Sequence, residues 1–233
     1  MRTSQKGAAF IAAEEGLVPA VYRDAVGVLT WGIGHTRSAG EPDPLSMTPG
    51  MPSNVDAVIK EAMRVFDEDL KKYEREVIEA FGSNLKQHEL DGLVSWHFNT
   101  GGAHTSSAVG KWRAGDKRGA VAITTQWNKG TVNGKKRVLS ALVSRRNFEA
   151  DMILNGEYPP PVLLETPVWG VKGKTFRVQW GDVIDRIPYD QMLAGRRPVG
   201  GDVAVGAFTI FSALSVGVAV FWDKVSNFIG GLF

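Results

Sequence analysis

Eight apolar residues, Val55, Ile59, Ala62, Phe66, Leu70, Tyr73, Val77 and Phe81, recur every three or four positions. That period places them on one helical face, and it predicts a single long helix from about Asn54 to Phe81. Ser53 followed by Asp56 resembles a helix-start signal. Residues 4–15 read as a shorter helix, with Ala8, Ile11 and Ala12 on one face and Gly16 as its stop. A third helix spans about Gln87 to Phe98 and ends at Asn99-Thr100-Gly101-Gly102. Between the first two helices, Tyr22 to His35 reads as a β-hairpin or small sheet. It has a tight turn at Val26-Gly27-Val28 and a returning strand at Thr30-Trp31. Residues 37–53, rich in Pro, Gly and Ser, read as a loop. The fold class is therefore α+β, mostly helical, with a small β-hairpin beside the first helix.

The chain has 233 residues, enough for one or two domains with a sizeable core. It has no cysteine and only four histidines, none in an H-E-x-x-H pair. Disulfides and thiolate metal sites are excluded, and neither a catalytic metal nor a cofactor is expected. The net charge of +2 conceals a basic stretch: Lys111 to Arg146 holds ten Lys/Arg and one acid, Asp116. Such a stretch is either a solvated face or an attraction for an acidic polymer. No nucleic-acid motif accompanies it, so nucleic acid is not an expected partner. Met1 to Glu15 has neither a long apolar core nor a small-residue cleavage site, and no secretory signal peptide is read there.

Glu15, Asp24 and Thr30 carry the candidate chemistry. Two carboxylates and a hydroxyl, on a helix end and an adjoining glycine-rich turn, suit hydrolysis of a glycosidic bond. One carboxyl donates a proton to the leaving oxygen; the other, beside a hydroxyl, holds a water on the opposite face of the sugar. General acid catalysis needs a protonated carboxyl, which apolar walls favour and a cationic partner opposes. Glu14 is the rival to Glu15 but lacks its spacing to Asp24 and Thr30. Gly32 and Gly34 would let the backbone turn sharply or approach a sugar closely. His35 reads as a structural histidine paired with Asp67 or Asp69 on the long helix.

The run Glu15-Gly16-Leu17 … Tyr22-Arg23-Asp24 … Thr30-Trp31-Gly32-Ile33-Gly34-His35 resembles the phage-type lysozymes of glycoside hydrolase family 24. Trp127-Asn128-Lys129-Gly130, Arg145-Arg146-Asn147-Phe148-Glu149 and Leu154-Asn155-Gly156 resemble the family as well. Ser140-Ala141 departs from its more usual turn before the double arginine. The resemblance implies a lysozyme-like domain over residues 1–158, whose long helix links two lobes. It implies Glu15 as general acid, with Asp24 and Thr30 positioning the water and the anomeric carbon inverted. Asn99, in a Phe-Asn-x-Gly-like turn, becomes a candidate substrate contact. Arg145 matches an arginine that pairs with the acid in some relatives, and is a second candidate at the substrate site. The implied function is that of an endolysin: a muramidase cleaving the β-1,4 bond between N-acetylmuramic acid and N-acetylglucosamine in peptidoglycan. Two alternatives stay open. A lytic transglycosylase also uses a glutamate but forms an anhydro product. A non-catalytic wall-binding or membrane-disrupting protein would act through the C-terminal segment.

That segment lies beyond the resemblance. Pro159-Pro160-Pro161 marks a stiff boundary, and residues 159–200 form a small extension. Within it Val168 to Trp180 alternates around Lys172-Gly173-Lys174, as a hairpin would. It would pack on the catalytic domain or bind wall. Residues 201–233 contain Val203 to Trp222, twenty residues without a charge. At about 1.5 Å per residue a helix there matches the thickness of a bilayer core. A membrane-spanning helix is expected, with a buried hairpin or an oligomerisation helix as the alternatives. Arg186, Arg196 and Arg197 precede it and only Lys224 follows, which by the positive-inside rule leaves the enzyme in the cytoplasm. The expected localisation is the bacterial cytoplasm and the inner membrane, with action on the cell wall. Complete release from membranes by alkaline extraction would contradict the spanning helix.

Overall fold

The computed structural model describes residues 1–24, 27–132, 134–168 and 176–179. In chain order the elements are α1 (Gln5–Glu15), β1 (Val18–Arg23), β2 (Leu29–Gly32), β3 (His35–Thr36), α2 (Val55–Phe81) and α3 (Gln87–Thr100). There follow α4 (Ala108–Arg113), α5 (Lys117–Thr124), β4 (Lys129–Val132), β5 (Lys135–Val138), α6 (Ser140–Asn155), β6 (Glu165–Val168) and β7 (Phe176–Gln179). The expected α+β class holds. Val203 to Trp222 lies outside the described residues; among those described, no helix is long and apolar enough to cross a membrane.

α1 begins where the Ser4 hydroxyl accepts from Gly7 N and ends at Gly16, whose φ of 73° suits glycine. α2 begins one residue later than the Ser53 signal suggests. Asn54 is its cap, its side-chain oxygen accepting from Ala57 N at 3.1 Å. Six of the eight periodic apolar residues on α2, Ile59, Ala62, Phe66, Leu70, Val77 and Phe81, are buried. They pack with α3, which is buried almost all round and runs through the middle of the core. Trp96 on α3 meets Phe81 edge to face, with ring centroids 6.2 Å apart.

β1, β2 and β3 form an antiparallel sheet in that order. Tyr22 pairs with Thr30, but the register shifts between Val18 and Tyr22. Pro19 lies in the shifted stretch and has no N–H to give the ladder; its carbonyl accepts from Trp31 Nε1 instead, at 3.2 Å. Gly32 at the end of β2 has φ 62°, and a Cβ there would come within 3.1 Å of Ala62 Cβ. Its close approach is therefore to α2.

His35 seals the sheet to α2. Its Nδ1 lies 2.7 Å from Asp69 Oδ2, and its Nε2 lies 3.0 Å from the Pro42 carbonyl oxygen. Asp69 is thus the partner; Asp67 pairs with Arg2 instead, at 3.0 Å. A carbonyl only accepts, so Nε2 carries a proton, and a carboxylate favours a second proton on Nδ1. Burial disfavours the charged ring, but Asp69 and the carbonyls outweigh it and raise the His35 pKa above 6.5. A raised value stabilises the fold below the unfolded pKa, and that contribution is lost as pH rises through the folded value. Asp69→Asn is accordingly expected to cost about 2 kcal/mol at pH 5.5 and clearly less at pH 9. Urea unfolding at the two pH values checks this; an equal loss at both would mean that His35 is not charged.

The C-terminal extension is stitched to the first helix. β6 and β7 pair antiparallel, Val168 opposite Phe176, and the turn expected at Lys172-Gly173-Lys174 lies outside the described residues. Leu17 N donates to the Pro167 carbonyl at 2.8 Å. Thr166, Pro167 and Val168 are buried, and Val168 joins the same core as Leu17 and Ile11. Tyr158 also holds this end of the chain, its hydroxyl donating to the buried Asp91 at 2.6 Å.

Candidate active site

Glu15 is the last residue of α1, and its side chain is 2 % exposed. Gly16 turns the chain directly into β1, so the same few residues end the helix and begin the sheet. Arg145 of α6 donates from Nη1 to Glu15 Oε1 at 2.8 Å. Its Nη2 donates to the Ser95 carbonyl at 3.3 Å, and its Nε to Glu149 Oε1 at 3.2 Å. Arg145 is 0 % exposed. The expected pairing with Glu15 is there, and Arg145, with no exposed surface, reaches Glu15 from inside the protein. Burial works against its charge, and Glu15, Glu149 and Glu14 more than compensate, raising its already high pKa.

Asp24 and Thr30 come from the β1–β2 turn. Asp24 N donates to the Val28 carbonyl at 2.9 Å, Val28 N donates to Asp24 Oδ1 at 2.8 Å, and Gly27 N donates to the Asp24 carbonyl at 3.0 Å. The carboxylate is fixed by its own turn. Side chains alternate along a strand, so Tyr22, Asp24 and Thr30, the cross-strand partner of Tyr22, share one face of the hairpin. Thr30 is buried and its hydroxyl donates to the Val28 carbonyl at 3.2 Å. Burial first, then the charges of Glu15 and Asp24, push the ionisation of Tyr22 well above pH 10. Tyr73 on α2 is pushed up to about 12, by burial first and then by Asp69, Glu15 and Glu76. Both phenols therefore stay neutral around Glu15. Tyr22 was visible in the sequence only as part of the motif around Asp24.

Asn99 is the penultimate residue of α3 and is mostly buried. It lies one turn beyond Ser95, on the face that carries the Arg145 contact. Of the cations between Lys111 and Arg146, Arg145 and Arg146 are buried in the site, while Lys129, Lys135, Lys136 and Arg137 are exposed on the β4–β5 hairpin.

Among the described residues Glu76, His97 and His104 have the donor set for a cation, their ligand atoms within 4.8 Å of one another. The protons oppose it. Ala103 N donates to His97 Nδ1 at 3.2 Å, so the proton of a neutral ring sits on Nε2, which faces Glu76 Oε2 at 2.7 Å. A metal would need that lone pair. Burial lowers the His97 pKa despite Glu76, which keeps the ring neutral and the donor in place.

The phage lysozyme family profile matches residues 12–149. An endolysin of Acyrthosiphon pisum secondary endosymbiont phage 1 is 30% identical over 151 residues, covering 64% of this chain and 95% of that protein. A SAR-endolysin of Pseudomonas phage phiKMV is 30% identical over 161 residues, covering 66% and 93%. Among solved structures, the endolysin from Escherichia coli O157:H7 phage FAHEc1 superposes with a TM-score of 0.58 at 31% identity, over 69% of this chain and 98% of that one.

Proposed function

The chain belongs to the phage lysozyme family, and from that premise we propose that it is a muramidase in which Glu15 is the general acid and Asp24, with Thr30, orients the attacking water. It is a lysozyme-type glycosidase that lyses peptidoglycan. The bond proposed is the β-1,4 link between N-acetylmuramic acid and N-acetylglucosamine. The observation that carries this reading is the buried Glu15 side chain at the end of α1, held by Arg145, with Asp24 fixed in the turn of the adjoining hairpin.

Glu15 gives its proton to the bridging oxygen as the C–O bond breaks. Positive charge develops on the muramic ring, and Asp24, anchored by Val28 N, stabilises it and accepts a proton from the water. Thr30 lies on the same hairpin face and offers a hydroxyl to the same water. Attack from the side opposite the leaving group inverts the anomeric carbon. Asn99 is a substrate contact in this reading, and Arg145 positions the acid.

Mass spectrometry of a purified peptidoglycan digest tests the reaction class. Hydrated, reducing muropeptides are expected. Products lighter by one water, with an anhydro ring, would make the protein a transglycosylase.

A further inference from the structure

Glu149 contacts both arginines behind Glu15. Its Oε1 accepts from Ser95 Oγ at 2.7 Å, from Arg145 Nε at 3.2 Å and from Arg146 Nη2 at 2.8 Å. Its Oε2 lies 2.7 Å from Arg146 Nε. The side chain is 2 % exposed. The guanidinium of Arg145 is thus fixed along three edges: by Glu149, by the Ser95 carbonyl and by Glu15.

Two neighbouring buried guanidinium groups repel one another. The pKa of Arg146 is pulled down to about 10, by burial first and further by the charge of Arg145, with Glu149 opposing both. Arg146 Nη1 is buried and makes no hydrogen bond. Glu149 meets both guanidinium groups, so its loss would leave both cations undercompensated.

We propose that Glu149, steadied by Ser95, is a positioning residue that holds Arg145 against Glu15 and sets the charge the acid experiences. The proposal rests on Glu15 being the general acid. With Glu149 ionised, a protonated Glu15 leaves the four-residue cluster one positive charge in excess; without Glu149 the excess is two. Extra positive charge beside Glu15 favours loss of its proton. The other groups around the pair stay in place: Glu14 on α1, which acts on Arg145, and Tyr22 on the hairpin and Tyr73 on α2, which feel the charge of Glu15. From α3 the network receives Ser95, which carries no charge.

The test is the pH profile of kcat/KM on soluble peptidoglycan fragments, using the full chain as wild type, Glu149→Gln, Glu149→Asp and Ser95→Ala. In Glu149→Gln the alkaline limb is expected to move down by about one pH unit or more. At pH 7 its kcat falls about tenfold with KM little changed. Glu149→Asp restores part of the limb, and Ser95→Ala moves it in the same direction by less. A purely structural role would lower activity at every pH without moving the limb, and an unmoved limb in Glu149→Gln overturns the proposal. Should that variant not fold, the Glu149→Asp and Ser95→Ala profiles decide, and wild-type limbs in both overturn it. Glu15→Gln in the same series separates the two readings. Full activity there removes Glu15 as the acid, whereas inactivity there with unmoved Glu149 limbs removes only the role of Glu149.

Discussion

Glu15→Gln is expected to lower kcat on purified peptidoglycan by about a thousandfold while leaving the fold intact. The amide keeps an oxygen for Arg145 Nη1, which now donates to Glu15 Oε1 at 2.8 Å, so the contact that orders the end of α1 persists. What disappears is a proton that can be given to the leaving oxygen, and general acid catalysis contributes about 10²–10⁴-fold. Binding should change little, because the side chain is 2 % exposed and contributes almost no contact area. Turbidity clearing, steady-state kinetics and a thermal melt report the three quantities. An activity within tenfold of wild type at an unchanged melting temperature would remove Glu15 from the chemistry and bring Glu14 forward.

Ending the chain after Pro160 is expected to destabilise the enzyme by about 3 kcal/mol or more, although every proposed catalytic residue is retained. The cut removes β6 and with it the fully buried Val168, worth about 1.5–3 kcal/mol. It also removes the Pro167 carbonyl that accepts from Leu17 N, worth about 1 kcal/mol. Leu17 stands two residues after Glu15, so activity near the melting transition should fall along with stability. A chain ending after residue 180 keeps β6 and β7 and should melt clearly above the chain ending after Pro160. Equal melting temperatures for the chains ending at 160 and at 180 would show that β6 contributes nothing to the catalytic body.

The long helix was legible because its apolar residues keep one period for seven turns and that face is the one that meets α3. α3 was legible in extent but not in environment: Asp91, Ser95 and His97 interrupt its apolar pattern, yet all three are buried among partners from other parts of the chain. Along the chain the partner of His35 stayed open between Asp67 and Asp69, and it is the packing of β3 on α2 that selects Asp69. The roles of Ser95 and Glu149 were harder to see. Glu149 stands four residues after Arg145 and three after Arg146, a spacing that lets one carboxylate meet both on a helix, but Ser95 gives no signal along the chain because its partner lies 54 residues away. The attachment of β6 to Leu17 was hidden for the same reason: the pairing depends on where α1 ends in space. The full burial of Arg145 was hidden too, since two of its three partners, Glu15 and Ser95, come from distant parts of the chain.

The most direct measurement is the anomeric configuration of the new reducing end, read by proton NMR in a fresh digest of soluble peptidoglycan before mutarotation. A water held by Asp24 and Thr30 opposite the proton from Glu15 gives the α-anomer first. A β-anomer first would contradict that arrangement, and would mean that a protein carboxylate attacks the sugar before water does.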